Sequence, residues 1–156
     1  MSERILVPLD GSKLGEAALA YIQGLIARLG PGEQVALTLL NVITAEWHTV
    51  NLRGGEMVSV PYTDRELGEM KKSARIYLEN VSAGLTQKNV SISCQVSVSE
   101  NPAEEIIRVE KEIDADLVAM STHGRSGLSR FAFGSVADKV MRGGSVPVLM
   151  VRAKEK

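Results

Sequence analysis

Residues 116–140 read DLVAMSTHGRSGLSRFAFGSVADKV. The stretch opens as an unbroken apolar run from Leu117 to Met120. It then passes through Gly124, Gly127 and Gly134, Arg125 and Arg130, and a scatter of serines. Helical spacing returns at Val136, Ala137 and Val140. An apolar run without alternation is what a strand covered on both faces shows. The segment therefore predicts strand, glycine-rich connection, helix, which is the repeating unit of an α/β sheet.

Working outward, the same unit recurs. RILVPLD (4–10) starts as a short apolar run, and the strand should end near Pro8, which has no N–H to give a ladder. A helix is expected after Gly11, with Leu14, Ala17, Ala18, Tyr21, Leu25 and Leu29 on its stripe; Gly30-Pro31-Gly32 stops it. QVALTLLNV (34–42) reads as a second buried strand. Residues 44–64 have no clear period and predict a loop, of a length that is unusual unless it covers a site. From Asp64, taken as the cap, a second helix places Leu67, Met70, Ala74, Tyr77, Val81 and Leu85 on one stripe.

VSISCQVSV (90–98) alternates, as a half-exposed edge strand does, with Cys94 packing as a small apolar side chain. In NPAEEIIRVEKEI (101–113), Asn101 caps, Pro102 takes the first helical position, and Ala103, Ile106, Val109 and Ile113 face inward. The acids of this helix read as a solvated face. Gly143-Gly144 end the last helix, and VPVLMVR (146–152) is a fifth strand. The whole implies an open, five-stranded, mainly parallel α/β sheet with helices on both faces. No linker or repeat divides 1–156, so a single domain is expected. The fifth strand is as apolar as a central one. A bare apolar edge invites aggregation, so a homodimer paired through 147–152 is expected.

Bulk composition narrows the partners. A net charge of −1 over 156 residues gives no reason to expect nucleic acid or a membrane surface. The lone Cys94 cannot form an internal disulfide, no apolar run approaches a membrane span, and the N-terminus has no secretory core; the chain reads as cytoplasmic.

Open α/β sheets bind ligands at the carboxyl ends of their strands, where the winding reverses. Asp10, Val42 and Ser121 fall at such ends. Gly134-Ser135 falls where the last helix begins, so free amides and the positive dipole end face outward, a natural anion site. Ser135 is either a cap or a donor to phosphate oxygen. Arg125 and Arg130 are either ligand contacts or solvated charges. Asp10 is a turn residue in DGS or an acceptor for a base or ribose. Neither G-x-x-x-x-G-K-[ST] nor G-x-G-x-x-G after the first strand is present. His48 and His123 have no paired nucleophile or metal-ligand spacing and read as surface residues; Trp47 either covers the rim or docks its own loop.

RILVPLDGS, the junction DLVAMSTHGRSGLSRFAFGSVADKVMR and the end SVPVLMVR together resemble the universal stress protein family along nearly the whole chain. Its nucleotide-binding branch carries G-x-x-G, nine residues, then G-[ST]. Here Ser121-Thr122-His123-Gly124 is followed by nine residues and Gly134-Ser135, with Ser121 standing in place of the first glycine. The resemblance implies a Rossmann-like sheet ordered 3-2-1-4-5, dimers through the last strand, and an adenine nucleotide, ATP or AMP, either alone or with a divalent ion such as Mg. It would place Pro8 and Asp10 beside the base and the Val42 backbone against adenine. Met120, Ser121 and Gly124 would run along ribose and first phosphate, and Gly134, Ser135 and Val136 would hold the later phosphates. The implied role is a homodimeric signalling or protective module of the stress response. The alternatives are a nucleotide-independent interaction protein, or a slow ATPase for which no convincing general base or metal carboxylates are in view.

Overall fold

In the computed structural model, residues 2–30, 32–44, 47–85, 88–122 and 134–153 are described. Seven strands and four helices alternate: β1 (Ser2–Pro8), α1 (Ala17–Ile26), β2 (Gln34–Ile43), β3 (Trp47–Asn51), β4 (Met57–Pro61), α2 (Asp64–Ala83), β5 (Val90–Val98), α3 (Pro102–Glu112), β6 (Leu117–Thr122), α4 (Ser135–Gly143) and β7 (Val148–Arg152). The main sheet has five strands in the order β5-β2-β1-β6-β7, all paired in parallel. With the β3–β4 hairpin set aside, this is the expected 3-2-1-4-5 order.

The hairpin corrects one expectation. Residues 44–64 are not a plain loop: β3 and β4 pair antiparallel, Trp47 opposite Pro61 and Asn51 opposite Met57. Their alternation is weak because one face carries Trp47, Thr49 and Asn51 and the other His48 and Val50, so hydrophobicity does not mark the period. Gly54 and Gly55, both at positive φ, turn the chain between the two strands.

Two apolar layers sandwich the sheet. Ile5, Val7 and Leu9 of the β1 segment pack with Leu37 and Leu39 of β2 under α1 and α2. Leu6, Leu40, Val118 and Met120 pack on the other face under α3 and α4. The α1 stripe agrees with the expected one in part: Ala18 is buried and Leu25 and Leu29 pack against the core, but Leu19, Ile22 and Ile26 are buried as well, while Tyr21 is 48% exposed. The helix starts at Ala17, with Leu14 in the turn that precedes it.

Helix caps set the other boundaries. Thr63, not Asp64, caps α2: its side chain accepts from Glu66 N, and Glu66 reaches back to the Thr63 N–H, a capping box that leaves Asp64 at the first helical position. Asn101 accepts from Glu104 N and Pro102 opens α3, as expected. The acidic face of α3 holds a second correction. Glu110 is buried, at 1% relative exposure, and its Oε1 accepts from Ser145 N and Ser145 Oγ, both at 2.7 Å. It fastens the turn between α4 and β7. Gly143 and Gly144 are packing residues as well as terminators: a Cβ on Gly143 would lie 2.9 Å from Ile107 Cδ1, and one on Gly144 2.6 Å from Glu110 Oε2.

Candidate functional site

Chain order determines where a crevice opens. β1, β2 and β5 are linked by α1 and α2 on one face, whereas β6 and β7 are linked by α4 on the other. The winding reverses between β1 and β6, so the crevice lies beyond their carboxyl ends. Pro8 is the last residue of β1, and Ser121 and Thr122 end β6.

After β1, Gly11 at φ 84° turns the chain. Asp10 Oδ1 accepts from Ser12 N at 2.9 Å and Ser12 Oγ at 2.6 Å, and Gly15 N donates back to Ser12 Oγ at 3.0 Å. A Cβ on Gly15 would collide with Asp10 Oδ1. The carboxylate is thus pinned at the mouth of the crevice by its own turn. Tyr77 of α2 donates to Glu16 Oε1 at 3.2 Å; burial, with Glu16 and Asp10 nearby, raises its phenol above the usual range.

β2 outruns β1. The β1–β2 register ends at Pro8 opposite Leu40, yet β2 continues to Ile43. Leu40 O accepts from Leu9 N on the β1 side, whereas Ile43 O accepts from Ser99 N on the β5 side. By the alternation of a strand, the N–H and C=O of Val42 turn to the β1 side, beyond the end of that ladder. The Val42 main chain therefore meets the crevice, while its side chain packs with the α3–α4 core. Met120 is buried at 7% and serves the same core.

Ser121 behaves differently from a residue lining a phosphate path. Its Oγ accepts from Ala18 N at 2.9 Å and donates to Gly15 O at 2.7 Å. Glu16, the N-cap of α1, makes no side-chain capping bond. The helix is capped instead from β6, across 103 residues of sequence. The hydroxyl that replaces a glycine is drawn onto α1.

The N-cap of α4 is Gly134, whose φ of −51° and ψ of 151° any residue can adopt, and no side chain among the described residues caps the helix. Ser135 is the first helical residue, not the cap. A Cβ on Gly134 would meet nothing within 4 Å among the described residues, so neither its conformation nor packing against those residues requires a glycine there. Val136 is half-buried against the core. Gly124, and with it Arg125 and Arg130, lies outside the described residues. His48 stacks on Tyr62, with ring centroids 4.4 Å apart, and its Nε2 is 3.8 Å from Glu66 Oε1. It joins the hairpin to α2 and is no ligand candidate. Among the described residues, no three His, Cys, Asp or Glu side chains converge as a metal cage, and no helix is long and apolar enough to cross a membrane.

The Universal stress protein family model matches residues 1–152. The chain belongs to that family. Universal stress protein YxiE of Bacillus subtilis is 31% identical over 153 residues, covering 97% of this chain and all of the relative. Universal stress protein MJ0577 of Methanocaldococcus jannaschii is 26% identical over 159 residues, covering 99% and 97%. Among solved structures, universal stress protein UspA from Lactobacillus plantarum superposes with a TM-score of 0.68 at 22% identity, covering 96% of this chain and 97% of that one. A universal stress protein in complex with cAMP superposes with a TM-score of 0.58 at 17% identity, covering 97% and 98%. These likenesses confirm the open α/β fold.

Proposed function

We propose that this universal stress protein is a single nucleotide-binding domain that takes an adenine nucleotide, ATP or AMP, across the carboxyl ends of β2, β1 and β6. The observation that carries the reading is the start of α4. Among the described residues its first amides have no side-chain cap, and the glycine before them has open space where a side chain would be. Amides and dipole together favour an anionic group there. The phosphates lie against Gly134, Ser135 and Val136. Ribose runs past Ser121, and the base reaches the Val42 main chain beside Pro8 and Asp10. The Ser121 hydroxyl, engaged with α1, leaves the ligand path to main chain. A relative in complex with cAMP supports an adenine nucleotide as the ligand class. A divalent ion such as Mg would bind through the phosphates.

The protein acts in the cytoplasm as a homodimeric module of the stress response, its state set by nucleotide occupancy rather than by turnover. β7 is the edge strand next to β6, and its Val148, Leu149, Met150 and Val151 are all only half-buried. Pairing of two such edges removes that exposure. Denaturing the purified protein should release adenine nucleotide, and calorimetry of the stripped protein should show saturable heat with ATP or AMP. No nucleotide and no heat would leave a nucleotide-independent dimer as the function. A monomer in light scattering at micromolar concentration would overturn the pairing through β7.

A further inference from the structure

Between the end of β2 and α2 lies a hollow of about 390 Å³. Gly11 of the β1–α1 turn, with Asn41 and Ile43 of β2, forms one wall; Glu69, Met70 and Ser73 of α2 form the other. Ala74 and Tyr77 complete the lining. There is no cation among these residues. Tyr77 already donates to Glu16 Oε1, and Asn41 Nδ2 donates to Leu9 O. The lining is therefore mainly apolar, and its one charged group is the carboxylate of the exposed Glu69, which has no partner among the described residues. Ile43, Met70 and Ala74 supply apolar surface.

Such a hollow repels phosphate and suits a flat, neutral group that presents hydrogen-bond donors from its edge. It is also placed to receive one. β1 lies between β2 and β6 in the sheet, and neighbouring strands are about 4.8 Å apart. The ends of β2 and β6 are thus separated by roughly 10 Å, a distance an extended nucleotide spans from base to phosphates. The anion-favouring start of α4 and the apolar hollow with its rim carboxylate are the two poles of one crevice.

We propose that α2 selects the base: the hollow receives a purine carrying an exocyclic amino group, and Glu69 accepts a hydrogen bond from that amino group. Ile43 and Met70 enclose its faces, and Ser73 supports its edge. This rests on the nucleotide reading above and adds to it a specificity-determining residue on an element outside the phosphate loop.

The test is calorimetry with three probes: ATP, ITP, which has a carbonyl in place of the amino group, and inorganic tripolyphosphate. Wild type should bind ATP about tenfold more tightly than ITP, as a hydrogen bond to a charged acceptor implies. Glu69→Ala should weaken ATP about tenfold, bring ATP and ITP together, and leave tripolyphosphate unchanged. Ala74→Leu, which fills the hollow, should weaken both nucleotides and spare tripolyphosphate, with folding checked by circular dichroism. If tripolyphosphate binds and both variants hold ATP like wild type, base selection by α2 is wrong while the phosphate site stands. If neither ATP nor tripolyphosphate binds wild type, both readings fall.

Discussion

The two faces of the sheet are covered with unequal tightness. On one, α3 and α4 approach so closely that Gly143 and Gly144 leave no room for a Cβ beside Ile107 and Glu110, and Glu110 ties the next turn to α3. On the other, α1 and α2 stand apart over a groove of about 540 Å³ floored by Leu19, Val81 and Leu85, with the smaller hollow at its upper end. The tight face holds α4, whose start is the proposed anion site. The loose face has the space for the bulk of a ligand. Rigidity and room are separated by the sheet, and the crevice joins them over its edge.

The largest effect should come from breaking the tight face. Gly144→Leu puts a Cβ 2.6 Å from Glu110 Oε2 and 2.9 Å from Val140 O. Overpacking of this kind should cost about 3 kcal/mol, lowering Tm by roughly 6–12 °C in thermal unfolding for a domain of this size. Gly134→Val should act on the ligand instead. Open space around the missing Cβ should leave Tm within a few degrees of wild type, while nucleotide affinity measured by calorimetry falls about tenfold or more, about 1.4 kcal/mol per decade. The loose face should accept what the tight one rejects. A Cβ on Gly68 of α2 meets nothing within 4 Å, so Gly68→Ala should raise stability by about 0.5–1 kcal/mol in denaturant unfolding.

The smallest effect concerns pH. Hydrogen bonds from Thr63, backbone first, hold the Glu66 carboxyl below its ordinary value of 4.5. A depressed folded value means that the capping box stabilises fully above the unfolded value and loses its contribution as pH falls through the folded one. Tm of wild type should therefore drop more steeply than that of Glu66→Gln as pH is lowered from 5 towards 3. Parallel curves would show that the box contributes nothing through ionisation.

The apolar runs of β1, β2, β6 and β7 were legible because burial on both faces erases alternation, and Asn101-Pro102 announced α3 because a cap and an N–H-free residue are local signals. Sheet order and the rim positions of Asp10, Val42 and Gly134 followed from the resemblance and from those runs. What escaped is non-local or ambiguous. The partners of Ser121 are 103 and 106 residues away. Glu110 looks like any surface acid until Ser145 folds onto it. Thr63 and Asp64 are both good caps, and the Glu three residues after Thr63 was the signal that distinguishes them. The lining of the hollow draws on β2 and α2 at once, so no single stretch displays it.

The central claim is that uncapped amides at the start of α4 hold the negative tail of a nucleotide. Titrating ¹⁵N-labelled protein with ATP and following amide resonances tests it most directly. The account predicts the largest shifts at Ser135, Val136 and Ala137, saturating together with those of Gly11 and Val42. Saturating shifts confined to other residues, with the amides of α4 unmoved, would contradict it.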